Sequence, residues 1–363
     1  MDLPPTGIAA QTKRIAVIPG DGIGVEVTRE AVKVLTAATS AGPVKLEFTE
    51  FDWGAERYLR DGITLPSGAV AMFHRDFDAI LFGALGDPRV PTNKHAADIL
   101  LGLRAKLDLY VNLRPVELFD EALTPLRNRG TSDVHFVVVR ENTEGLYVGV
   151  GGHFQRGTPH EVAIQEDVNT RRGVERILIY AFEYARRHKL RRVCMSDKSN
   201  ALTFGHELWL RVFKEVKEEY TDIDSRHLYI DALLMEMVRD PGHFDVIVTC
   251  NLFGDIVSDV GAQIAGGLGL APSGNIHPGR VSLFEPVHGS APDIAGKNMA
   301  NPAGSVLSSA LMLNHLGMPA KANLLRDAVR ASVSERKTTR DVGGTLGTRE
   351  AGDWLAEFVT ARI

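Results

Sequence analysis

Asp255 and Asp259 stand four residues apart in Asn251-Leu-Phe-Gly-Asp-Ile-Val-Ser-Asp259, a spacing that puts both carboxylates on one side of a helix. Side by side they repel, at a cost of roughly 0.2–0.5 kcal/mol. A solvated helix face would carry such a pair without consequence, but the context points elsewhere. The preceding run, Phe244 to Phe253, is nearly continuous apolar and β-branched residue, the pattern of a buried strand. Acids just past the C-terminal end of such a strand sit where open α/β sheets place ligands. A hard divalent cation such as Mg²⁺ takes oxygen ligands and would offset the repulsion.

Other residues could join this chemistry. Arg104 belongs to a helical run, Arg114 to Val111-Asn-Leu-Arg-Pro115, and Arg140 ends the strand-like run Val134 to Val139. A guanidinium stays charged and grips a carboxylate with two parallel bonds, so three converging arginines suit a dicarboxylate. Each alone could be a surface ion pair. Tyr147 and Lys198 are candidate acid–base groups. Near the N-terminus a short strand, Arg14 to Pro19, leads through Gly20-Asp-Gly-Ile-Gly24 into a helix from about Val25 to Ala38. Its spacing is G-x-G-x-G, not G-x-G-x-x-G, and no ribose-binding acid follows at the usual distance. The glycines are therefore read as a tight strand-to-helix turn.

Strands and helices alternate through the rest of the chain, which implies an α/β fold with a largely parallel sheet. Strands are expected at Lys45 to Asp52, Ala79 to Gly83, Val134 to Val139, Arg192 to Ser196 and Leu228 to Asp231. Helices are expected at Ala96 to Leu109, Gly173 to Lys189, Asn301 to Leu316 and Lys321 to Glu335. The Gly-rich stretch around residues 145–168 contains the alternating piece Glu161-Val-Ala-Ile-Gln-Glu166 and predicts a protruding β-arm. Met1 to Thr12 reads as a loose leader without an apolar signal core. With 363 residues the chain is long enough for two domains. Its net charge of −5 gives no footprint for nucleic acid, and no apolar run approaches a membrane span. Its only two cysteines, Cys194 and Cys250, lie in apolar runs and read as small buried hydrophobes. That usage fits a reducing, cytoplasmic location.

Four motifs in order carry a resemblance. They are Asn112-Leu-Arg-Pro115, Arg140-Glu-Asn-Thr-Glu-Gly145, Asn251 to Asp259, and Glu285-Pro-Val-His-Gly-Ser-Ala-Pro-Asp-Ile-Ala-Gly-Lys297. Together they resemble the β-decarboxylating dehydrogenases, which include isopropylmalate, isocitrate, homoisocitrate and tartrate/D-malate enzymes. The resemblance runs from about Arg14 to the C-terminus. It implies an isopropylmalate dehydrogenase-like fold: two domains, a large mixed sheet flanked by helices, and no Rossmann fold. One discontinuous domain, residues 1–109 plus 266–363, would bind NAD. Residues 110–265 would hold metal and substrate and form the dimer, with the arm helping to build that interface.

The resemblance also implies roles. Arg104, Arg114 and Arg140 would grip the malate carboxylates. Asp231, Asp255 and Asp259 would hold Mg²⁺ or Mn²⁺, with Asp231 also near the substrate. Lys198 would take the C2 hydroxyl proton and Tyr147 would protonate C3 after CO₂ leaves. Lys198 and Asp231 would come from the neighbouring subunit of a homodimer. NAD would lie against His288, Gly289, Ser290, Ala291, Asp293, Ile294 and Asn301. Asp293 would accept the adenosine ribose hydroxyls and repel a 2′-phosphate, which favours NAD over NADP.

Substrate choice rests on the helix carrying Arg104. On α-helical spacing Leu101, Leu100 and Ala97 share one apolar face. A third carboxylate against two leucines would lose hydration without a partner, which disfavours isocitrate. An isopropyl group could be covered there. The usual glutamate of isopropylmalate enzymes is absent at Ala97, and Arg140 to Gly145 is closer to the isocitrate and tartrate branches. The first expectation is thus isopropylmalate, with tartrate or D-malate as the alternative.

Overall fold

The computed structural model of the chain describes residues 11–363. Twelve strands appear in chain order: β1 (Gln11–Gly20), β2 (Val44–Glu50), β3 (Ala79–Ala84), β4 (Val111–Glu117), β5 (His135–Glu141), β6 (Gly151–Phe154), β7 (Val162–Gln165), β8 (Arg192–Asp197), β9 (Asp224–Tyr229), β10 (Val246–Thr249), β11 (Pro272–Ile276) and β12 (Ser282–Pro286). Most of the expected leader lies outside the described residues. Gln11 and Thr12, however, are already strand, because β1 pairs with β2 from Gln11 opposite Val44 onward. The fold is α/β with mixed sheet flanked by helices.

The chain divides into two compact units, one running to Gly102 and resuming at Pro278, the other Leu103–His277. Sequence placed the changeovers after 109 and 265. Residues 103–109 go with the second unit because Asn142 donates to the Leu109 carbonyl. Residues 266–277 stay there because β11 pairs antiparallel with β4.

In the first unit the strand order is β2-β1-β3-β12, all parallel. The helix Ala303–His315 is buried on nearly every side. Such a helix must hide its polar atoms, and two of its serine hydroxyls do so by donating to the carbonyls of Gly304 and Ser305 one turn back. The C-terminal helix Thr348–Thr360 packs on Ile23–Ala38; the sequence reading had not marked it.

The second unit orders its strands β11-β4-β5-β10-β8-β9, antiparallel around β4 and parallel from β5 onward. Its core gathers Val116, Phe136, Val138, Cys194 and Ile247 from the strands and Phe244 from the turn before β10, with Leu233, Met237, Val257 and Ile264 from two helices. Both cysteines are buried and unbridged. Burial pushes both thiols up to about 12, so they serve as apolar filling. Strands β6 and β7 pair as a two-stranded arm whose residues are all exposed.

The glycine turn is held by close backbone approach. Gly20 has φ of 75°, and a Cβ there would lie 2.0 Å from the Ala84 carbonyl oxygen. That oxygen accepts from the Asp21 amide at 2.7 Å. A Gly20→Ala variant should therefore lose about 1–3 kcal/mol from backbone strain. Urea denaturation checks this; an unchanged midpoint would contradict the packing described.

Candidate active site

The helix Asn251–Ile264 begins directly after β10, so its first turns emerge from the C-terminal end of a buried strand. Asp255 and Asp259 share its face at the expected spacing. Arg140, at the end of the neighbouring strand β5, is only 2% exposed. Its Nη1 donates to Asp255 Oδ1 at 2.5 Å, while Nε and Nη2 donate to Asn251 Oδ1 at 3.1 and 2.7 Å. Arg114, on β4, donates through Nη1 to the same Asp255 oxygen at 3.1 Å and to Ser258 Oγ at 2.7 Å. Tyr147, in a short turn before the arm, donates its hydroxyl to Asp255 Oδ2 at 3.2 Å. The buried Arg104 completes the set; its charge acts on Arg140, Tyr147 and Asp255.

The electrostatics follow from this crowding. Burial, then the Arg114 and Arg104 cations, lower the proton affinity of Arg140. Burial works to raise Asp255, but Arg140 and Arg114 outweigh it and hold the carboxyl below its usual range. Asp259 goes the other way, raised by burial and then by the Asp255 charge. Burial and then Asp255 raise Tyr147, which keeps its proton at neutral pH. The cluster thus concentrates cationic donors around one carboxylate and one phenol, a setting that suits an anionic, carboxylate-bearing ligand.

Three partners in this cluster escaped the sequence reading: Asn251, Gly254 and Ser258. With Asp255 they fall at i, i+3, i+4 and i+7, a polar and small-residue stripe that spacing alone could have flagged. Gly254 is required by close approach, since a Cβ there would lie 2.4 Å from Arg140 Cγ.

Lys198 and Asp231 form a separate cluster. Lys198 follows β8, and its Nζ donates to Asp231 Oδ1 at 2.5 Å. Asp231, expected at the end of a strand, instead lies in the first turn of the helix Ile230–Arg239. The Lys198 hydrogen bond lowers its carboxyl from the usual range. Among the described residues no group of three acidic, histidine or cysteine side chains is gathered to hold a metal. Asp231 is therefore not brought beside Asp255 and Asp259 within one chain.

The expected dinucleotide residues follow β12. His288 donates from Nδ1 to the Gly289 carbonyl at 3.0 Å. That leaves Nε2 as an acceptor, and it is buried without a partner among the described residues. Ser290 is buried, and its carbonyl accepts from the Ile23 amide at 2.8 Å. The Gly20–Gly24 turn, rejected as a nucleotide fingerprint, thus supports this loop from beneath. Ala291 takes a φ of 37°, Asp293 is exposed, and Ile294 packs against Ile23, Val27 and Ala300. Asn301 donates to Asp341 at 3.0 Å and accepts from the Ala303 amide at 2.9 Å, starting the next helix.

Asp21 was also missed. Its buried carboxylate accepts from the Ala55 amide at 2.6 Å, the Gly86 amide at 2.9 Å and pairs with His95 Nε2 at 2.7 Å. Beyond His95 the chain does not form one α-helix as expected. Residues Ala97–Leu101 make a π turn, and α-helix resumes at Gly102–Lys106. A π turn closes on the fifth residue, so each residue rotates less about the axis. The α spacing that would align Ala97, Leu100 and Leu101 is interrupted. Ile99 is fully buried, Leu100 and Leu101 are half-buried, and Ala97 is exposed.

The donor sets fit the groups the resemblance implies. Asp255 and Asp259 offer only carboxylate oxygen, the ligand a hard divalent cation takes, and a cation would relieve the Asp255–Asp259 conflict. The unpartnered His288 Nε2 fits a nucleotide hydroxyl or amino donor.

Comparison with known proteins agrees. The family described as isocitrate/isopropylmalate dehydrogenase matches residues 14–355. The 3-isopropylmalate dehydrogenase of Thermobifida fusca is 47% identical over 354 residues, covering 97% of this chain and 99% of the relative. That of Mycobacterium tuberculosis H37Rv is 48% identical over 336 residues, covering 91% and 98%. Among solved structures, isocitrate dehydrogenase from Methylococcus capsulatus superposes with a TM-score of 0.86 at 37% identity, covering 96% of this chain and 99% of that one. With a buried arginine–aspartate cluster on a strand-to-helix junction and matches across nearly its whole length, the chain belongs to the isocitrate/isopropylmalate dehydrogenase family.

Proposed function

We propose that the protein oxidatively decarboxylates (2R,3S)-3-isopropylmalate to 4-methyl-2-oxopentanoate, a step of leucine biosynthesis, with NAD and Mg²⁺ or Mn²⁺. The observation that carries the reading is the Asp255 carboxylate bonded at once by Arg114, Arg140 and Tyr147. The names of the relatives, 3-isopropylmalate dehydrogenase at 47–48% identity, support the substrate. Leu100 and Leu101 would cover an isopropyl group, worth about 1–3 kcal/mol of discrimination. They offer nothing to a third carboxylate.

Arg104, Arg114 and Arg140 would hold the two malate carboxylates, with Asp255 setting the arginine geometry. Asp231, Asp255 and Asp259 would hold the cation, and His288, Gly289, Ser290, Ala291, Asp293, Ile294 and Asn301 the dinucleotide. A bound cation would supply Lewis-acid polarisation at the C2 oxygen, and a bound dinucleotide would supply the hydride acceptor. Lys198 Nζ would take the C2 hydroxyl proton. Tyr147 Oη, which keeps its proton at neutral pH, would deliver one to C3 after CO₂ departs. The first unit would be the NAD-binding domain and the second the metal, substrate and dimerisation domain.

The working form would be a homodimer with shared sites. Met235 and Val238 on Ile230–Arg239 are 74% and 55% exposed, and Ile256 on Asn251–Ile264 is 42% exposed. The arm exposes Phe154 and Ile164 at 65% and 55%. A second copy of the chain would cover these apolar faces and bring Lys198 and Asp231 to the Asp255 cluster. No helix among the described residues is long and apolar enough to cross a membrane. Unbridged buried cysteines support a cytoplasmic enzyme.

Two measurements test this reading. NADH formation with Mn²⁺ should give kcat/KM for 3-isopropylmalate at least about tenfold above D-malate, tartrate and isocitrate; a higher value for tartrate or D-malate would reassign the substrate, and a higher value with NADP⁺ would overturn the role of Asp293. Lys198→Met should lower kcat by about 10²–10⁴-fold while the dinucleotide still binds. Near-wild-type turnover in that variant would remove Lys198 from the mechanism.

A further inference from the structure

The backbone of Lys198 is held on both sides. Its carbonyl accepts from the amides of Ala201 and Leu202, at 2.9 and 2.8 Å. Its amide donates to His206 Nδ1 at 2.9 Å. An amide can only donate, so Nδ1 carries no proton and the imidazole proton sits on Nε2. Nε2 faces Asp167 Oδ2 at 3.5 Å, and that carboxylate oxygen also accepts from Asn169 Nδ2 at 3.0 Å. The hydrogen bond to His206, ahead of burial, holds the Asp167 carboxyl below its usual range. Asn169 in turn accepts from the Trp209 indole at 2.8 Å.

His206 is only 2% exposed, and each of its edges meets a different element. Asp167 lies two residues past the last strand of the arm, next to Val168, which bridges to Gly145. The ring also stands edge-on to Phe253, at 5.2 Å between centroids, on the helix that carries Asp255. A side chain needed only for packing would not require two opposed, tautomer-specific partners at the backbone of a candidate base.

We propose that His206 is the positioning residue for Lys198, fixing its backbone through Nδ1 and tying it through Asp167 to the root of the arm. Turnover then depends on how the arm is seated, because the lysine is held from that root. The inference rests on Lys198 acting as the base.

Three variants of the full-length enzyme test it. His206→Leu removes both contacts. His206→Asn keeps an acceptor near the place of Nδ1, and His206→Gln keeps a donor toward Asp167 but loses that acceptor. His206→Leu should lower kcat about tenfold or more while KM for 3-isopropylmalate and NAD stays within about twofold. His206→Asn should recover most of kcat and His206→Gln should not; if the leucine variant does not fold, this contrast carries the test. Wild-type kcat in His206→Leu, or equal recovery by Asn and Gln in step with thermal stability, would overturn the proposal. An active Lys198→Met would take the proposal down with the assignment of the base. An inactive Lys198→Met beside a fully active His206→Leu would sink the proposal alone.

Discussion

Arg140 sets the terms for the candidate site. A guanidinium 2% exposed still carries its charge at neutral pH, and its N–H groups need acceptors as they leave water. Asp255 supplies the opposing charge and Asn251 accepts two more bonds. Both acceptors come from one helix face, so that helix must begin at the end of β10, one strand over from β5. Gly254 lets the helix approach until it touches the arginine stem. Removing one partner of such a pair leaves a buried charge uncompensated, a loss of about 3–5 kcal/mol in comparable cases. Arg140 and Arg114 overcome burial to hold the Asp255 carboxyl below its usual range, while burial and then the Asp255 charge raise Asp259. The sheet order, the helix phase and the glycine therefore all answer to one buried charge.

Much of this was legible in sequence because it is periodic. A buried strand followed by acids four apart predicted the junction at Thr249–Asp255. The alternation in Glu161–Glu166 predicted the arm, and the Gly20–Gly24 run, read as a strand-to-helix turn, joins β1 to the helix Ile23–Ala38. What escaped was contact across long separations. Asp21 reads as one more turn residue, yet it binds Ala55, Gly86 and His95, which lie 34 to 74 positions away. Nothing local to the chain marks that hub. The π turn at Ala97–Leu101 escaped for a different reason: α periodicity was assumed there, and a π turn changes the period without changing composition. Asp231 was placed on a strand because β9 and the next helix adjoin with no loop between them.

The second unit separates its chemistry. Arg114, Arg140, Tyr147, Asp255 and Asp259 form one cluster, on β4, β5, the turn before the arm and one helix. Lys198 and Asp231 form another, after β8 and at the start of a different helix, where they satisfy each other. On the proposed assignment, a single chain would hold two of the three carboxylates for the cation in one cluster and the base and third carboxylate in the other. The exposed apolar residues on Ile230–Arg239 and Asn251–Ile264 lie on the same helices that carry Asp231 and Asp255. One association would bury these residues and complete both clusters.

Subunit complementation tests that division most directly. Asp255→Asn disables the first cluster and Lys198→Met the second, so each homodimer should be inactive. If sites are shared, a hybrid of the two carries one site with both defects and one with none. Equal mixing and random exchange should then restore about a quarter of wild-type turnover, as two-fold symmetry requires. Activity that stays at the level of the parents after verified exchange would put all the machinery within one chain and contradict the account.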